Sequence, residues 1–282
     1  MSRPLPLALR EPFWVRALLT SIALLVVALF LVLPLLAIFS VALEKGLGFY
    51  LRAIMSEDSW QVVRLSLAIT AAAVPLNALF GFAAAWAITR FRFPGKSTLL
   101  TLIDLPFAVS PIIAGLSFVL LFGAGGWFYP LLQKLGLSFV FAFPGMLLAT
   151  VFVTFPFVSR ELIPLMQELG REEEEAAVCL GAGLWSILGR VTLPNVKWAL
   201  LYGVILTAGR ALGEFGAVSV VSGHIRGETI TMPLQVEILY NEYHGAEAFA
   251  LASLLAFIGV VSLGAKHLIA FLEKRSSTRT KT

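Results

Sequence analysis

The sequence predicts an all-α membrane protein of six transmembrane helices with both termini on the cytoplasmic side, and three observations predict it. The chain of 282 residues is 59% hydrophobic and only 13% charged, where a soluble domain carries about 25% charged residues. Apolar runs of about 20 residues, the length a bilayer-crossing helix needs, recur along the whole chain. Lys and Arg are distributed unevenly: fourteen fall in the termini and loops assigned to one side, with Lys266 at that end of the last span making fifteen, five fall in the loops assigned to the other, and Arg210 lies inside a span. The richer side is the cytoplasmic one.

The first span, 17–42, follows Arg3, Arg10 and Arg16. It is about twice as long as the apolar core of a signal peptide, so it reads as a retained span. The second covers 65–89. The third, 104–124, opens at Asp104, which reads as a helix cap before Leu105 and Pro106. Pro106 and Pro111 should interrupt this span, which a bilayer tolerates only where protein or a cavity satisfies the freed backbone groups. The fourth covers 137–158 and leads into the longest segment outside the membrane, the 39-residue cytoplasmic loop 159–197. The fifth, 198–222, carries Gly209, Gly213 and Gly216, whose small-residue spacing suits close helix packing. The sixth, 248–271, has Lys266 near its cytoplasmic end.

These features exclude several classes of function. The net charge of +4 comes from basic residues scattered over short loops, so no nucleic-acid-binding face forms. The single cysteine, Cys179, excludes an internal disulfide, a redox pair and a thiolate metal cluster. No metal site is expected, because His224 and His244 lack the close spacing of a local metal motif. Gly95-Lys96-Ser97-Thr98 looks like the end of a phosphate-binding loop, but Arg90 stands where the first glycine should be, so a basic turn is the better reading. A loop of 39 residues is too short for a soluble catalytic domain.

Within that loop, Glu172 to Glu175 sit where a helix dipole favours acids. Ala176 and Ala177 keep one helix face low, Gly181 permits a sharp bend, and Pro194 suits the first turn of the following helix. The order Glu175-Ala176-Ala177, three residues, Gly181, nine residues, Val191-x-Leu193-Pro194 resembles the coupling motif of membrane subunits of bacterial ATP-binding-cassette importers, with Val191 in a place usually held by Ile. Longer stretches, Leu65 to Arg90, Asp104 to Leu116, Phe152 to Gln167 and Arg210 to Val218, resemble the sulfate/thiosulfate importer subunits. Val218 to Arg226 and Val236 to Tyr243 resemble the W-type partner most.

The resemblance implies a type I importer permease fold in a bacterial inner membrane and no catalysis in this chain. It implies a T-type sulfate permease subunit, two copies of a cytoplasmic ATP-binding subunit that holds ATP and Mg, and a periplasmic sulfate- or thiosulfate-binding protein. In that family the short loop helix docks on the ATPase, which gives Glu175, Ala176, Ala177, Gly181, Val191, Leu193 and Pro194 a coupling role. Molybdate and tungstate permeases share parts of the motifs, so a related oxyanion is the alternative substrate. The loop 223–247, with His224, Arg226, Glu228, Glu237, Glu242, His244 and Glu247, offers a docking surface for the binding protein, and Pro233 could start a short helix there.

Arg210 and Glu214 stand four residues apart in the fifth span, on one face if the helix is continuous. Two readings stay open for them, an electrostatic element on an anion route and a structural ion pair. A secondary transporter would keep coupling carboxylates near the midplane, and an intramembrane enzyme would need a nucleophile and base at depth. Neither pattern is present, and neither accounts for the loop motif.

Overall fold

The computed structural model describes residues 12–279, with side chains to residue 268 apart from Lys266. Arg3, Arg10, the Lys266 side chain and the basic side chains after residue 268, all counted for orientation, lie outside the described residues. Every regular element among the described residues is helical. In chain order these are α1 (Phe13–Ala42), α2 (Leu47–Met55), α3 (Glu57–Arg90), α4 (Lys96–Ala108), α5 (Pro111–Phe122) and α6 (Tyr129–Lys134). There follow α7 (Phe143–Glu168) and α9 (Leu184–Leu212), with α8 (Glu172–Cys179) between them, and then α10 (Gly216–Ser222), α11 (Met232–Asn241) and α12 (Gly245–Arg279). Five of these helices are long and apolar enough to cross a membrane, and the count is six when the bent pair α4 and α5 is taken as one span.

Prolines shape the long helices in three ways. Pro34 and Pro194 each stand two residues beyond a π-helical turn, Ala28–Val32 and Leu188–Thr192. A proline inside a helix clashes with the carbonyl four residues back, and the widened turn relieves that clash without ending the helix. Pro111 instead forces a break. Ser110 before it is held extended, at φ −58° and ψ 132°, as the proline ring demands, and α4 and α5 meet at 107°. Pro106 is buried inside α4 and does not stop it.

The third span therefore differs from the expected 104–124. Its helix begins at Lys96, and Asp104 lies inside α4 rather than capping it; its carboxylate pairs with Arg160 at 2.8 Å. The fifth also differs from 198–222, because α9 ends at Leu212 and the chain resumes as α10 only at Gly216. The expected loop 159–197 is mostly helix, since α7 runs on to Glu168 and α9 begins at Leu184.

Three buried clusters hold the bundle. Ala85, Val158, Leu162, Met166 and Val196 join α3, α7 and α9 at one end. Ala149, Val153, Ala217 and Val221 join α7 to α10, and Val62, Val63, Met146, Met232 and Leu251 close the other end. Where lipid supplies no hydrophobic drive, close contact and hydrogen bonds bind helices. A Cβ at Gly81 would stand 2.7 Å from Val158 Cβ, and one at Gly203 3.0 Å from Val158 Cα, so α3, α7 and α9 meet nearly backbone to backbone. Gly115 and Gly145 are as closely hemmed, a Cβ at Gly115 standing 2.6 Å from Ala217 O and one at Gly145 closer still to Phe139 O; of the three glycines expected to pack the fifth span, Gly216 is tight, Gly209 makes ordinary contact with Ser262, and Gly213 faces only its own helix. The most apolar stretch of α1 has none of its residues buried within the chain.

Candidate functional site

Charged side chains meet irregular helix at both ends of α9. The first place is built on α8. Glu172 to Glu175 fill its first turn, where carboxylates face the free N–H groups. Its other end closes at Gly181, which has φ +83°. Gly181 N–H donates to Val178 O and Ala182 N–H to Ala177 O, both at 2.9 Å, the bond pair of a Schellman cap. Glycine takes that φ without strain, and a Cβ there would meet nothing of this chain within 4 Å. Glu175 and Ala176 are exposed and Ala177 is half-buried. Around them Leu180 is 88% and Trp185 84% exposed.

Sequence reasoning missed how α8 is tied to the bundle. Glu174 Oε2 lies 2.7 Å from Arg90 Nε, and its Oε1 accepts from Thr192 Oγ1 at 2.8 Å. Arg90 also donates to Met166 O at 3.0 Å, Arg171 donates to Thr89 O at 2.8 Å, and Asn195 donates to Glu173. Arg90 and Glu174 are 8% and 15% exposed in their side chains, so one carboxylate binds α8 to the ends of α3 and α9, and Arg90 extends the tie to α7. Thr192 occupies the open position of the Val191-x-Leu193-Pro194 motif. Arg90 had signalled only topology, and no pattern in the sequence pairs it with Glu174. Val191, Leu193 and Pro194 lie in the π-turn and the helix turn beyond it, on the α9 side of this tie.

The second place is the break after α9. Arg210 Nη1 stands 2.5 Å from Glu214 Oε2, so the pairing expected from their spacing is present, although the two do not share one helix. Glu214 follows the end of α9, and its Oε1 accepts from Ala217 N–H at 3.0 Å. It thus caps α10 while neutralising Arg210. Glu214 is 1% exposed in its side chain and Arg210 36%. Ser66, Thr150 and Thr231 line the small cleft beside the carboxylate. In the segment before α12, Arg226 pairs with Glu242, and Pro233 starts α11. Among the described residues no three His, Cys, Asp or Glu side chains are grouped to hold a metal ion.

The profile of the family described as binding-protein-dependent transport system inner membrane component matches residues 77–277. The chain belongs to that family. It is therefore a multi-pass inner membrane component of a transport system. The sulfate transport system permease protein CysW of Escherichia coli (strain K12) is 48% identical over 260 residues, 91% of this chain and 88% of that one. The sulfate transport system permease protein CysT of the same strain is 36% identical over 233 residues, 83% of this chain and 84% of that one. The resemblance to W-type subunits drawn from the motifs is thus borne out. A chain in the crystal structure of a bacterial alginate ABC transporter in complex with alginate pentasaccharide-bound periplasmic protein superposes with a TM-score of 0.75 at 17% identity, covering 93% of this chain and 94% of that one. That likeness supports the importer-permease fold.

Proposed function

We propose that this chain is the W-type membrane subunit of an ATP-driven sulfate/thiosulfate importer in a bacterial inner membrane. The observation that carries the substrate is the 48% identity to CysW over 91% of the chain. The partners are a T-type permease subunit, two copies of a cytoplasmic ATP-binding subunit that holds ATP and Mg, and a periplasmic binding protein. The chain itself performs no catalysis.

In this reading α8 docks on the ATPase through Glu175, Ala176, Ala177 and the exposed Leu180 and Trp185. The Gly181 cap fixes the turn that presents them. Closure of the ATPase pair moves α8, and the Glu174 tie to Arg90 and Thr192 passes that movement to three long helices at once. A helix joined only by flexible chain would move without them. Val191, Leu193 and Pro194 set the π-turn through which α9 receives the motion. The two ATPase states must engage α8 with different affinity for the spans to rock.

The test is ATP-dependent uptake of radiolabelled sulfate into proteoliposomes holding this chain, its partner permease, the ATPase and the binding protein. Uptake should require ATP, survive collapse of the proton gradient and be competed by thiosulfate. Entry of molybdate with exclusion of sulfate would overturn the substrate and keep the mechanism. Uptake driven by the proton gradient without ATP would overturn both.

A further inference from the structure

The pair Asp104–Arg160 is a second charged site within the apolar helices. Arg160 lies eight residues before the end of α7 at Glu168, and Asp104 eight residues after the start of α4 at Lys96. At 1.5 Å per residue each stands about 12 Å inside the end of the bundle that carries α8. Their side chains are nevertheless 55% and 48% exposed. A half-exposed ion pair among apolar helices faces water or protein, because charges facing lipid are strongly disfavoured. The elbow at Ser110, one turn beyond Phe107, points the same way: irregular backbone at membrane depth is tolerated where it lines a cavity or is covered by protein.

The guanidinium is also only partly used. Arg160 donates through Nε to Asp104 Oδ1 at 2.8 Å, and its plane lies over the Phe107 ring, 4.4 Å from the centroid. Phe107 in turn packs edge-on against Phe157 at 5.5 Å. The terminal nitrogens take no hydrogen bond among the described residues. A planar fork held at its base, with its outer N–H edge free, suits two oxygens of a tetrahedral oxyanion. Asp104 both aims the fork and opposes a second negative charge, so an anion would be received and released rather than trapped.

We infer that Arg160, aimed by Asp104 and Phe107, is a transient binding site for the tetrahedral oxyanion on its route through this chain. The inference rests on the proposed function as an oxyanion importer. Arg160 touches the anion; Asp104 is a positioning residue.

The test uses the assembled importer in proteoliposomes, with Ala108→Cys, an exposed position one turn beyond Asp104 in α4, made in a Cys179→Ser parent and the thiol challenged with a small anionic methanethiosulfonate. Labelling should proceed, sulfate should slow it several-fold where chloride at equal ionic strength does not, and Arg160→Gln in the same parent should remove that protection. A thiol that never reacts would mean that lipid or the second permease subunit covers the position. Labelling indifferent to sulfate would mean a wet face without an anion site. Either result overturns the inference. Should Ala108→Cys not assemble, uptake by Arg160→Lys and Arg160→Gln is measured instead. Loss of one charge-assisted hydrogen-bonding group should lower maximal sulfate uptake at least about tenfold in Gln, with partial recovery in Lys. Equal uptake in both variants and the parent overturns the site. Sulfate uptake by the parent, measured alongside, separates this outcome from failure of the importer reading, which would remove uptake from every variant.

Discussion

Glu174 shows how one side chain can connect distant parts of a chain. Its two oxygens contact Arg90 and Thr192, and neither contact is visible without the fold, because Arg90 ends α3 and Glu174 lies in α8. Glu174→Ala leaves a mostly buried guanidinium without its carboxylate, a change that typically costs about 3–5 kcal/mol. We expect a lower thermal midpoint and, in the assembled importer, more ATP hydrolysed per sulfate carried. A double-mutant cycle with Arg90→Ala should return a coupling energy of roughly 0.5–3 kcal/mol; strict additivity would show that the pair does not act as a unit. Glu214 behaves differently. Glu214→Gln keeps an acceptor for Ala217 N–H, whereas Glu214→Ala removes the cap as well, worth about 0.5–2 kcal/mol beyond the lost charge pairing. Thermal unfolding of the purified chain in detergent should therefore rank wild type above Gln and Gln above Ala. Equal midpoints for the two variants would remove the capping role.

At the scale of elements, α8 and the π-turns carry the argument. Gly181→Val places a β-branched residue at φ +83°. It should cost roughly 1–2 kcal/mol in backbone strain without any clash inside the chain. The expected result is normal insertion, reduced copurification of the ATPase and loss of uptake; full uptake with ATPase bound would sink the docking role of α8. Pro194→Ala removes the reason for the turn Leu188–Thr192 to widen, so the start of α9 should rotate relative to its remainder and uptake should fall. Pro34→Ala makes the same change in α1, away from the coupling element, and should leave uptake intact. Parallel losses in both variants would assign the effect to general folding. The sequence supported α8 through its acids, alanines and glycine, because capping and dipole preferences act over a single turn. It supplied no sign of the π-turns, because a proline within an apolar run reads equally as a helix start.

For the whole molecule, α3, α7 and α9 meet at Gly81, Val158 and Gly203, and this contact sets their spacing. Gly81→Leu overfills it and should lower stability by roughly 1–3 kcal/mol or more, measured as unfolding of the purified chain in detergent. A chain that tolerated leucine there would show that these helices can separate. The sequence by itself determined the all-helical membrane character, the number of apolar segments, the family and the short acidic helix with its glycine cap. These depend on composition and on spacing within a turn or two, which the chain carries locally. Only the tertiary structure decided that the third span bends at Ser110, that α9 stops before Glu214, and that Asp104 pairs with Arg160 and Glu174 with Arg90. Breaks and ion pairs of that kind depend on which side chains the packed helices bring together, and residues far apart in sequence acquire their partners only when the bundle closes.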